Sequence, residues 1–156
     1  MASEFPKFKL VEKEQSNFMK FLNFFVQLWN SEFLTKYTTV LGYKVYMPKA
    51  ITDSDMGYEI LRHEAVHMRQ WRKWWILQPI TYAILPIGPS FRAYWEFQGY
   101  VESMRALKFL GWPITDAYIE AIAKQFYGSA YLFMWPFPNH IRNKLKEARD
   151  KILNLQ

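Results

Sequence analysis

Two of the chain's three histidines stand four residues apart in the stretch Arg62–Trp71, RHEAVHMRQW. An α-helix turns about 100° per residue, so positions four apart lie on one face, one turn from each other. His63 and His67 can therefore act together if this stretch is helical. The flanks agree with a helix. Asp53, Ser54 and Asp55 are N-cap candidates whose negative charge suits a helix start, and Arg69, Arg72 and Lys73 suit its end. A helix over about Ser54–Trp74 places HEAVH in its middle.

The rest of the chain organises around that helix. Phe18, Phe21, Leu22, Phe24, Phe25, Leu28 and Trp29 recur at helical spacing and predict a helix over about Lys13–Phe33 with a broad buried stripe. KYTTVLGYKVYMP, with β-branched and aromatic residues on either side of Leu41-Gly42, predicts a short β-hairpin. Pro79, Pro86 and Pro89 predict an irregular or broken segment. Further helices are expected over about Ser90–Leu110, ending at Gly111-Trp112-Pro113, then from a Thr115 or Asp116 cap to about Tyr127, and over about Asn139–Leu153. The run GSAYLFMWPFP between the last two reads as an aromatic loop.

A chain of 156 residues without repeats or linkers reads as one domain over 1–156, α+β and mostly helical, with a small hairpin beside the HEAVH helix. It is 51% hydrophobic and 19% aromatic, which excludes a disordered segment. The net charge is +6, but the basic blocks are short and read as solvated helix faces, so no nucleic-acid partner is expected. A weak attraction to an anionic membrane or cell-wall surface fits the charge better. The N-terminus lacks the apolar core of a secretory signal. Trp74–Gly88 is too short and too rich in proline to span a bilayer, and reads as buried or interfacial. A cytoplasmic location is expected by default.

The chemistry starts from composition. There is no cysteine, so a metal would be held by His, Asp, Glu or water. Two imidazoles on one helix face supply two of the ligands a zinc ion needs. Glu64 lies about 100° around from His63, too far to be a natural ligand but on the border of the open side, where a carboxylate can take a proton from water. The bland alternative is a pair of ordinary helix histidines. A catalytic zinc needs a third protein ligand. The extension HExxHxxGxxH is absent, which leaves His140, Glu96, Glu102, Asp116 and Glu120. Glu96 is favoured, because it falls in the first two turns of its helix among Tyr94, Trp95 and Phe97, where a carboxylate without a cation is costly. Glu102 is turned about 120° away from it and can pair with Arg105 on the surface. Tyr131 could donate to a developing oxyanion, although packing is the commoner role for such aromatic runs. Packing is also expected of Trp71, Trp74 and Trp75.

With these residues in view, the chain resembles the zincin metallopeptidases, and within them the gluzincin type. The shared order is helix, hairpin, HEAVH helix, and a following helix carrying RAYWEFQGYVES. PSFRAYWEFQGY is also similar to small uncharacterised HExxH proteins of bacteria and phages. The resemblance spans about Tyr37–Tyr100. It implies a zincin-like fold, a zinc ion on His63, His67 and Glu96, Glu64 as general base, and hydrolysis of a peptide or protein substrate. In one place the chain departs from the pattern: Tyr100 stands where many gluzincins carry an aspartate that orients a zinc histidine, and a phenol is the weaker acceptor. The alternative expectation is a non-enzymatic zincin-like protein that uses the metal for structure or for binding a partner. Glu64 favours the enzyme, since a structural site has no use for an acid there.

Overall fold

Local signals set most of the element boundaries. The computed structural model describes residues 3–28, 31–52, 54, 56–74, 91–129 and 133–155. Helices dominate, joined by one three-stranded sheet. Two compact units make up the chain, Met1–Met68 and Arg69–Gln156.

In the first unit the expected hairpin is present. Strands β2 (Thr39–Leu41) and β3 (Lys44–Met47) pair antiparallel with Leu41 opposite Lys44, leaving a two-residue loop, Gly42-Tyr43. Gly42 has φ +60° at the first loop position, which a glycine reaches without a Cβ penalty. A third strand, β1 (Lys9–Glu12), was not anticipated. It pairs parallel with β3, Lys9 opposite Lys44 through Glu12 opposite Met47, so β3 is central. Four residues carry little periodicity, and the partner lies more than thirty residues away.

The helix expected over Lys13–Phe33 is shorter and broken. Lys13–Gln15 form a single 3-10 turn. Ser16 then caps α1 (Asn17–Val26), its hydroxyl accepting from the Met19 N–H at 3.3 Å, and a separate turn, α2, covers Phe33–Lys36. The expected buried stripe is also corrected. Met19 is buried, whereas Phe18, Phe21, Phe24, Phe25 and Leu28 are exposed. Trp29 lies outside the described residues.

Lys13 holds this segment together. Its side chain is fully buried, and its ammonium donates to Phe33 O and Tyr37 O, both at 2.7 Å, and to Thr39 Oγ1 at 2.9 Å. The charge also lies 3.6 Å from the centroid of the Phe33 ring. One cation thus satisfies three acceptors along the chain from α2 to β2. Burial pushes its pKa down to about 8, while the negative charges of Glu14 and Glu64 pull it back up.

A short turn, α3 (Lys49–Thr52), precedes α4 (Met56–Trp74), the helix expected over Ser54–Trp74. Asp53 and Asp55, two of its cap candidates, lie outside the described residues, and the Ser54 hydroxyl donates to Ile51 O at 2.7 Å. Ala65 and Met68 of α4 form a core with Phe5, Val45 and Met47, so one face of the helix lies against β3.

The second unit contains three long helices: α5 (Phe91–Phe109), α6 (Asp116–Tyr127) and α7 (Pro138–Asn154). Each agrees with its expected range to within two residues, because each boundary is written locally. Gly111, with φ +73°, ends α5 by a Schellman arrangement in which its N–H donates to Lys108 O and that of Trp112 to Leu107 O. The Thr115 hydroxyl accepts from Tyr118 N at 3.1 Å to cap α6, and Pro138 opens α7. Met104, Ile119, Ala123, Phe126 and Leu145 fill the core these helices share. Ion pairs join α6 to α7. Arg142 reaches Glu120 at 2.5 Å, and Arg149 reaches Asp116 at 2.5 Å. The Arg142 guanidinium, helped by the Tyr127 hydroxyl, holds the Glu120 carboxyl at about 2. The proline-rich stretch 75–90 lies outside the described residues. Among the described residues, no helix is long and apolar enough to cross a membrane.

Lys13 carries a testable consequence. Lys13→Met leaves three acceptors without their donor and is expected to cost about 1–3 kcal/mol of stability for a buried group so orphaned. A lysine whose folded pKa lies below its unfolded value of 10.5 binds fewer protons folded than unfolded between about pH 8 and 10.5. The stability of the wild type relative to Lys13→Met should therefore rise across that window and be constant below it. Urea unfolding of both proteins at a series of pH values measures this, and a difference that stays flat would contradict the burial cost.

Candidate metal centre

The pitch of α4 sorts its side chains into three directions. Taking His63 as the origin, His67 lies about 40° round and Gln70 about 20° to the other side. Ala65 and Met68, which meet the sheet, lie at about 140–200°. Glu64 falls between, at about 100°, and is buried. Glu59, also buried, precedes His63 by one turn on the histidine side.

The two imidazoles point the same nitrogen at each other. His63 Nε2 and His67 Nε2 are 3.1 Å apart, and the rings are tilted by 64° with centroids 4.9 Å apart. Two donors on a tetrahedral zinc at its usual bond length are about 3.3–3.4 Å apart, so the pair is close to the spacing a metal would need. His63, His67 and Glu96 each offer one ligand atom, and these atoms all lie within 4.8 Å of one another. Glu96 is buried on α5. Two nitrogens and one carboxylate are a donor set that suits zinc and leaves a fourth position for water or substrate.

The end of α4 is tied directly to α5. The buried Gln70 amide donates to Trp95 O and to Gln98 Oε1, both at 3.2 Å, and the Trp74 ring lies 6.4 Å from that of Trp95. Trp95 is the residue before Glu96. A side chain on the histidine stripe is thus bonded to the peptide that leads into Glu96. Sequence reasoning did not single out Gln70, although its spacing of seven from His63 was the available signal. Lys13, whose charge interacts with Glu64, was missed for a different reason: nothing in the sequence marked it as buried.

The other candidates are engaged elsewhere. Glu102 is buried, which corrects the expectation of a surface position, and it accepts from Arg105 Nη1 at 3.2 Å as its spacing suggested. Glu120 and Asp116 take part in the ion pairs between α6 and α7. His140 is exposed, its ring 5.5 Å from that of Trp135. The Tyr100 ring packs on Phe126 at 5.6 Å. Tyr131, read as an oxyanion donor, and Trp75 lie outside the described residues. Comparison of the chain with family models, curated proteins and solved structures found no match.

Two outcomes follow from this geometry. Glu96→Ala should weaken zinc binding by more than the roughly 10–100-fold typical of a lost outer partner, while Glu102→Ala should leave it nearly unchanged. Isothermal titration with zinc distinguishes them, and the reverse pattern would move the assignment to Glu102. Gln70→Leu removes the two hydrogen bonds its amide makes to Trp95 O and Gln98 Oε1, an expected loss of about 1–3 kcal/mol in urea unfolding.

Proposed function

We propose that the protein is a zinc-dependent peptidase in which His63, His67 and Glu96 hold the metal and Glu64 is the general base. One observation carries this reading: the ligand atoms of these three residues lie within 4.8 Å of one another, and Glu64 follows His63 directly on the same helix. Zinc, when bound, would polarise a peptide carbonyl and lower the pKa of a water.

The remaining work falls to the chain's own residues. The two imidazoles, fixed one turn apart on a helix whose far face is packed on β3, define a point in space and not merely a local concentration of ligands. The Glu64 carboxylate borders that point without competing for it. From there it can take a proton from the attacking water and pass it to the departing amine nitrogen, the two transfers that hydrolysis of an amide requires. A neutral glutamine of the same size could hold the water but not accept its proton. A helix pair held together only for stability would have no need of an acid at this position, and that favours an enzyme over a metal site used for structure or for binding a partner.

The test uses the whole chain loaded with one equivalent of zinc. Glu64→Gln is expected to bind zinc as the wild type does and to lose about 10²–10⁴-fold in cleavage rate on a mixed peptide library, as general bases typically do. Elemental analysis gives the stoichiometry and mass spectrometry reads the cleavage. Equal cleavage by both proteins would remove Glu64 from the role. Zinc binding without cleavage by the wild type would leave the non-enzymatic reading.

A further inference from the structure

Helix α1 is turned inside out. Phe18, Phe21, Phe25 and Leu28 follow one another at helical spacing with Phe24 beside them, and all five point outward. Phe18 and Phe25 are 49% exposed, Phe21 62%, Phe24 66% and Leu28 79%. The inner side carries the buried Met19, with Leu22 and Val26 half-buried. The rings are ordered among themselves: Phe25 meets Phe21 and Phe24 edge-on, each at 5.3 Å between centroids. A contiguous apolar patch of this kind on a surface marks a site of interaction.

Size and charge decide what it fits. Four rings exposed by half to two-thirds, plus one leucine, present on the order of 500 Å². A stable protein interface needs about 800 Å² from each partner, so this face alone is small for a second copy. Two copies would also bring together chains that each carry a net charge of +6. The same charge draws the chain towards an anionic surface. From Ser16 to Leu28 the only charged residue is Lys20, exposed beside the Phe face, so no carboxylate of this segment opposes the approach. A helix of ten residues is about 15 Å long, too short to cross a bilayer but suited to lie in its surface plane with its apolar side down.

We infer that α1, with the turn that follows it, is a membrane-surface anchor that seats Phe18, Phe21, Phe24, Phe25 and Leu28 in the headgroup boundary of an anionic bilayer. This stands on α1 alone and does not depend on the metal centre.

Vesicles of phosphatidylcholine with and without phosphatidylglycerol test it by co-sedimentation. The full chain should pellet with the anionic vesicles and much less with phosphatidylcholine alone. The double variant Phe21→Ser/Phe24→Ser should lose at least about tenfold in partitioning, since two largely exposed rings are removed. Both sites are on the surface, so the far-UV circular dichroism and melting temperature should be unchanged. A second variant covers the case in which they are not. The chain has no cysteine, so Phe24→Cys can be labelled at that position alone with an environment-sensitive fluorophore, whose emission should shift to the blue on addition of anionic vesicles. Absence of binding, equal binding by the serine variant, or an unshifted probe would each overturn the inference. So would sedimentation velocity showing a dimer that the serine pair abolishes, with no vesicle binding, because the face would then belong to a second copy.

Discussion

The angle of about 100° between successive residues of α4 is the constraint on which the candidate site depends. It sends Ala65 and Met68 into the core with Val45 and Met47 of the central strand, and that packing fixes the rotation of the helix about its axis. Once the rotation is fixed, His63 and His67 share a direction and Glu64 takes the border between that direction and the sheet. Advancing the helix by one residue would put Glu64 where His63 stands and swing both imidazoles together about 100° round the axis. Ala65, where a larger side chain would push the helix off the sheet, is therefore as much a part of the site's geometry as the histidines are.

Burial of charge is the second constraint, and the chain answers it differently at each place. Among the described residues, two backbone carbonyls, a threonine hydroxyl and an aromatic face, rather than a hydrogen-bonded carboxylate, satisfy the Lys13 ammonium. Glu102 takes a neighbouring guanidinium. Glu96 is buried on the same helix as Glu102 but about 120° round from it, and its carboxylate lies with two imidazole nitrogens. A buried carboxylate gains less from a further cation once it is already paired with arginine. In the proposed site, that pairing is what sets Glu102 apart from Glu96 as a candidate ligand.

What could be read in the sequence was whatever the chain writes locally. Thr115, Gly111, Pro138 and Gly42 each fix a boundary through their own cap or turn, and the corresponding elements lie where those residues put them. The spacing of His63 and His67 needs only the helix pitch. Non-local facts were not legible. Strand β1 exists because Lys9–Glu12 can pair with Lys44–Met47, which no window of four residues reveals. The spacing of Phe18, Phe21 and Phe25 showed that α1 has an apolar face but not that the face turns outward. Periodicity measures contrast between the sides of a helix, and the direction of that contrast is set by what the rest of the chain offers to pack against. Glu102 was read as a surface acid paired with Arg105 and Lys13 was not singled out; both are buried because specific donors or acceptors meet them.

The same division between local and non-local bears on how tightly a metal would be held. The Nε2 atoms of His63 and His67 are already within a few tenths of an ångström of a tetrahedral spacing, so the helix has little left to reorganise. The adjustable part is the Glu96 carboxylate, carried on a longer side chain and a different helix. Glu96 is carried on α5, where Gln70 donates to the carbonyl of the residue just before it. A ligand set of two rigid members and one adjustable member gains affinity chiefly by restraining the third. On that ground Gln70, which donates to the carbonyl preceding Glu96, is the residue through which the proposed site would be tuned without changing its chemistry.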